Sequence, residues 1–129
     1  MKIILDTHAF IWLGCNHINK LSQNAISHFL GLNNELYLSK ARIWETSIKT
    51  NIDKLSFSQH LETLITNARK NNIKTLDIDI KHILHYQNLT LQHKPPFDRL
   101  IISSVKTEKM AIMTCDENFN LYSNIKIIW

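Results

Sequence analysis

Short apolar runs alternate along this chain with longer stretches in which apolar residues recur every three or four positions. The first kind predicts strands buried on both faces, the second amphipathic helices. Strands are expected at Lys2–Leu5, Glu35–Leu38, Ile73 to Leu76 or Ile78, Ala111–Thr114 and Ile125–Ile128. Helices are expected from Thr7 to Leu13, capped at Asp6-Thr7 and stopped by Gly14, and from Ser22 to Leu30 on Ala25, Ile26, Phe29 and Leu30. A third helix runs from Lys40 to Thr50 behind the cap Ser39, with Ala41, Trp44, Glu45 and Ile48 on a stripe that should face inward. Others cover Ser58–Lys70, Asp79–Gln87 and Phe97–Glu108. Strands alternating with helices predict an α/β fold, a three-layer α/β/α sandwich around a central parallel sheet of four to five strands. The chain has two Gly and two Pro, so Asn is the expected turn-former.

Length and composition narrow the class. The 129 residues suit a single domain spanning 1–129 that buries a core without disulfides or structural metal. No apolar stretch reaches the ~20 residues of a membrane helix. Lys2 and Asp6 interrupt the N-terminus too early for a signal-peptide core, so a cytoplasmic protein is expected. Cys15 and Cys115 form neither a disulfide framework nor a zinc spacing and read as small buried hydrophobes. A net charge of +4 suits a polyanionic partner, but the basic residues are scattered. There is no Gly-rich phosphate loop, and the seven histidines are dispersed. Trp12, Trp44 and Trp129 read as core or dimer-interface anchors.

Four acids carry the chemistry. Asp6 closes the first predicted strand, Glu45 lies in the third helix, Asp98 follows Pro95-Pro96 at a helix start, and Asp116 follows the fourth strand. Each has a plainer role available. Asp6 and Asp116 can be N-caps, Asp98 a favourable charge at a helix N-terminus, and Glu45 the i,i+4 partner of Lys49. Yet capping does not require acids at the ends of two core strands, nor Glu45 on an apolar stripe. In open α/β sheets, ligands bind beyond the carboxyl ends of the strands, where strand order reverses. If strands one and four are neighbours there, the acids converge, and clustered carboxylates need a cation. Mg²⁺ or Mn²⁺ suits oxygen donors, and a metal-dependent nuclease is the expected activity. Thr7, Ser39 and Thr114 are candidates to orient carboxylates or water, against the plainer reading as turn-formers. Arg99 and Lys94 are candidates to touch a substrate phosphate, with surface salt bridges as the alternative.

The segments Ile4-Leu5-Asp6-Thr7-His8-Ala9, Trp44-Glu45-Thr46-Ser47-Ile48-Lys49, Pro96-Phe97-Asp98-Arg99-Leu100-Ile101 and Thr114-Cys115-Asp116-Glu117-Asn118-Phe119 resemble the PIN domain, in particular the VapC-type toxins of bacterial toxin–antitoxin pairs. The resemblance runs from end to end, through Ile127-Ile128-Trp129. It implies a Mg²⁺- or Mn²⁺-dependent endoribonuclease whose metal is bound by Asp6, Glu45, Asp98 and Asp116. It further implies a homodimer silenced by a cognate antitoxin that covers the active site. Pro95 stands where relatives often carry another carboxylate, and Asp53 where they commonly carry Gly. The alternative is a catalytically weakened PIN fold that binds RNA or protein. A phosphoacceptor receiver-like module is a further rival, but the paired acid and the strand-end lysine it requires are absent.

Overall fold

The computed structural model describes residues 1–51, 60–90 and 95–129. Its centre is a five-stranded, all-parallel sheet of β1 (Lys2–Leu5), β2 (Glu35–Ser39), β3 (Lys74–Leu76), β4 (Ala111–Met113) and β5 (Lys126–Ile128), in the order β3-β2-β1-β4-β5. The chain lays down β1, β2 and β3 outward in one direction, then returns to the other side of β1 for β4 and β5. The reversal therefore falls between β1 and β4, with Leu5 in register with Met113.

The six helices among the described residues are α1 (Thr7–Gly14), α2 (Gln23–Leu30), α3 (Lys40–Asn51), α4 (Leu61–Lys70), α5 (Ile80–Gln87) and α6 (Pro96–Glu108). Together with the sheet they make the expected α/β/α sandwich. Side chains alternate across a strand, and the two cores follow that alternation. Ile3, Leu5, Ala111 and Met113 join Phe10, Ala25, Leu64 and Ala68 on one face. Ile4 and Ile112 join Ala41, Ile101, Ile102, Val105 and Phe119 on the other. Covering both faces is what makes β1 and β4 read as unbroken apolar runs.

Local chemistry sets the boundaries. Ser22 Oγ accepts from the Ala25 amide at the start of α2, and Asp79 and His82 form a capping box at the start of α5. Gly14 ends α1 against α4, where a Cβ would lie 2.6 Å from Leu64 Cδ2. Asn16, Asn72 and Asn124 hold left-handed turns at φ 60°, 61° and 60°, as the scarcity of glycine suggested. Lys109 ends α6 in the same conformation, at φ 55°. That region costs a residue with a Cβ roughly 1–2 kcal/mol, so Lys109→Gly is expected to stabilise the fold by up to about 1 kcal/mol after the entropy cost of glycine. A chemical denaturation midpoint measures it.

The structure corrects several expectations. Trp44 and Ile48 are exposed, while Ala41, Arg42, Glu45 and Thr46 form the buried face of α3. Leu30 and Cys115 are exposed too. Lys94, His93, Asp53 and the expected start of α4 at Ser58 lie outside the described residues. No helix among those described is long and apolar enough to cross a membrane.

Candidate functional site

The carboxyl ends of β1 and β4 open into a cavity of about 430 Å³ lined by Asp6, Thr7, His8, Arg42, Glu45, Lys49, Pro95, Asp98 and Asp116. All four expected acids reach it, each delivered by a different element. Asp6 follows β1 directly, is 6% exposed, and is fixed by its own backbone, whose amide donates to the Met113 carbonyl at 3.0 Å. Glu45 projects from the buried face of α3, Asp98 from the first turn of α6, and Asp116 from the loop after β4.

Two threonines hold the carboxylates in place. Thr114 Oγ1 donates to Asp6 Oδ2 at 2.6 Å and accepts from the Asp116 amide at 3.0 Å, so one hydroxyl ties the two strand-end acids together. Thr7 Oγ1 donates to Glu45 Oε1 at 3.2 Å. The third hydroxyl expected to orient a carboxylate, Ser39, instead accepts from the Ala41 amide at 3.1 Å and caps α3. Arg99 is also corrected. It is 4% exposed and its guanidinium donates to the Thr90 and Leu89 carbonyls at 2.7 and 3.3 Å, packing near the Tyr86 ring. A buried arginine bound to carbonyls is a brace between α6 and the end of α5, not a phosphate contact.

The plainer roles hold as well. Asp6 Oδ1 accepts from the Thr7 amide at 2.7 Å, and Asp116 Oδ1 accepts from the Asn118 amide at 2.9 Å, capping a short 3₁₀ turn. Glu45 Oε2 lies 3.3 Å from Lys49 Nζ. Capping and convergence are thus compatible, because Asp6 and Asp116 cap and also line the cavity.

The residue that sequence reasoning missed is Arg42. Its side chain is 2% exposed, and Nη1 donates to Glu45 Oε1 and to Asp98 Oδ1, both at 2.7 Å. Nη2 lies 2.9 Å from Asp6 Oδ1 without good hydrogen-bond alignment, and Nε has no partner among the described residues. Burial alone pulls the guanidinium pKa down, but Asp6, Asp98 and Glu45 together hold it above its ordinary value. Burial likewise pushes the Asp98 carboxyl up, against the lowering effect of Arg42. A signal was available: Arg42, Glu45 and Lys49 recur at i, i+3 and i+7, which places a charged row on one face of α3.

Asp6, Glu45, Asp98 and Asp116 bring to one cavity the carboxylate chemistry that a hard divalent cation takes. The expected picture of four acids facing one ion is modified, however. Three of them face a guanidinium, Asp116 lines the same cavity, and among the described residues no group of three acids, histidines or cysteines is disposed to hold an ion. Beside this cavity lies a second, almost wholly apolar one of about 470 Å³, lined by Trp44, Ile48, Ile83, Tyr86, Pro96, Phe97 and Leu100. There the Trp44 and Phe97 rings meet edge to face at 5.2 Å.

The fold has close structural neighbours. A chain of the DNA-bound VapBC2 complex from Rickettsia felis superposes with a TM-score of 0.69 at 18% identity, over 98% of this chain and 97% of that one. A chain of DNA-bound VapBC from Salmonella typhimurium gives 0.68 at 18%, over 98% and 96%. VapBC-1 from nontypeable Haemophilus influenzae gives 0.68 at 20%, over the same shares. No curated protein sequence matches the chain. The family model for the PIN domain matches residues 3–124, nearly the whole chain, and with a sheet and an acid-lined crevice of this form the chain belongs to the PIN domain family.

Proposed function

We propose that this protein is a Mg²⁺- or Mn²⁺-dependent endoribonuclease that acts as the toxin of a toxin–antitoxin pair. The observation that carries the reading is the convergence of Asp6, Glu45, Asp98 and Asp116 on one cavity at the β1/β4 reversal. When bound by these acids, a divalent ion would supply positive charge to the scissile phosphate and lower the pKa of water. The rest falls to the chain's own residues. Thr114 keeps Asp6 and Asp116 at a fixed separation, and Thr7 fixes the rotamer of Glu45. Lys49, with its side chain 45% exposed at the same rim, offers a cation to the incoming phosphate.

Thr114→Val tests that support. Removing the hydroxyl is expected to lower cleavage about 10–100-fold, the usual effect of losing a group that orients a metal ligand. Stability is expected to fall by roughly 1–3 kcal/mol, because a buried carboxylate oxygen loses its donor. Cleavage rates and denaturation of the same preparations check both.

The named neighbours are VapBC complexes, two of them on DNA, and this supports a cognate antitoxin for the present chain. The apolar cavity from Trp44 to Leu100 adjoins the acids, so a partner seated there would also cover them. We further infer a homodimer in the cytoplasm, where RNA and antitoxin would meet the chain. Incubation of purified protein with single-stranded and looped RNA and Mn²⁺ or Mg²⁺ is expected to yield internal cuts, abolished by EDTA and by Asp116→Asn. Uncut RNA under every metal condition would overturn the reading.

A second reading, a catalytically weakened PIN fold that binds RNA or protein, is favoured by Pro95 at the rim and by Arg42 among the acids. Tight RNA binding without cleavage by the wild-type protein would select it.

A further inference from the structure

Three of the four acids in the cavity are arranged around a cation that the chain itself supplies. From this we infer that Arg42 is a permanent counter-ion of the acid cluster, taking the place of one metal, so that the site accepts a single divalent ion. The inference rests on the metal-dependent reading above and specifies its stoichiometry.

Charge is the first argument. Asp6, Glu45, Asp98 and Asp116 bring four negative charges, and Arg42 and Lys49 return two, since Lys49 pairs with Glu45 at 3.3 Å. The remainder matches one divalent ion. Two would leave the cavity with a net positive charge of two, in a setting where Arg42 and Asp6 are nearly sealed from water.

Position is the second. Arg42 sits in the first turn of α3, immediately after β2 ends at Ser39, and its guanidinium lies over the Phe119 ring at 5.9 Å. Two carboxylates accept from its Nη1, and a third faces Nη2. Releasing it to solvent would break those contacts and leave a hole above Phe119. A surface lysine could swing aside at little cost; this arginine is part of the packed interior.

Donor supply is the third. Glu45 Oε1, Asp98 Oδ1 and Asp6 Oδ1 face the guanidinium, and Thr114 donates to Asp6 Oδ2. Magnesium and manganese sites are commonly completed by water around one or two carboxylates, so a cluster in which three acids already face a guanidinium suits one ion better than a pair.

The test counts bound Mn²⁺ by electron paramagnetic resonance in wild-type protein, Arg42→Gln, Arg42→Lys and Asp116→Asn, with circular dichroism confirming the fold. Wild type is expected to bind one ion. Arg42→Gln is expected to bind a second, or to bind the first at least about tenfold tighter, as follows from removing a unit positive charge a few ångströms away. Arg42→Lys is expected to stay close to wild type. Two ions in wild type overturn the inference, and that count needs no variant to fold. Equal number and affinity in wild type and Arg42→Gln also overturn it; if Asp116→Asn then loses the ion, the metal-dependent reading survives. No Mn²⁺ bound by wild type or Arg42→Gln removes both.

Discussion

Asp6→Asn is expected to lower RNA cleavage by more than the ~10–100-fold typical of losing a supporting group, while leaving the chain folded. The substitution keeps shape and removes one charge from the centre of the site. Asp6 is held twice at the ends of the central strands, through its own amide on the Met113 carbonyl and through the Thr114 hydroxyl on its Oδ2. Folding survives because Arg42 keeps Glu45 and Asp98 as partners and the local charge becomes less negative. The amide oxygen can still accept from Thr7 and cap α1. Cleavage assays paired with a thermal melt separate the two effects. Cutting at the wild-type rate by the Asp6→Asn protein would remove Asp6 from the machinery.

Arg42→Gln is expected to have the largest effect on stability. In metal-free protein it leaves Asp6, Glu45 and Asp98 together with their shared cation gone, and breaking a buried ion pair from one side costs about 3–5 kcal/mol. For a chain of this size that corresponds to a fall in Tm of roughly 10–20 °C. Mn²⁺ is expected to restore much of the loss, since an ion held by the converged acids would stabilise the folded state alone. The pH dependence has a definite sign. The folded Asp98 carboxyl is already raised by burial, and Arg42 opposes that rise, so losing Arg42 raises it further. A carboxyl raised on folding contributes stability that is complete below its unfolded pKa of about 3.9 and disappears as the pH climbs through the folded value. The deficit of Arg42→Gln should therefore be greatest near neutrality and shrink toward acid, as melts across that range would show.

Much of this was legible because buried parallel strands leave a strong mark. Ile3-Ile4-Leu5 and Ala111-Ile112-Met113 are apolar on both faces, so their ends, and the acids just beyond them, were visible. Caps were legible as well, at Asp6, Ser39 and Asp116, because a short polar side chain at a helix start acts locally. What failed was the direction in which helices face. The stripe of Ala41, Trp44, Glu45 and Ile48 has the right period, but period alone does not say whether an apolar face meets the core or an open groove. Here Trp44 and Ile48 take the groove. Arg42 was obscured by its type: charged residues are rarely buried unless paired, and its partners are brought together only by tertiary structure. Arg99 was obscured in the same way, since its acceptors are carbonyls, on which sequence is silent.

The most direct test is a crystal structure of the protein soaked in Mn²⁺, with anomalous scattering recorded at the manganese edge. One peak inside the cavity bounded by Asp6, Glu45, Asp98 and Asp116, with Arg42 still in place, is the predicted result. Anomalous density only elsewhere on the surface, or none at saturating Mn²⁺, would contradict it.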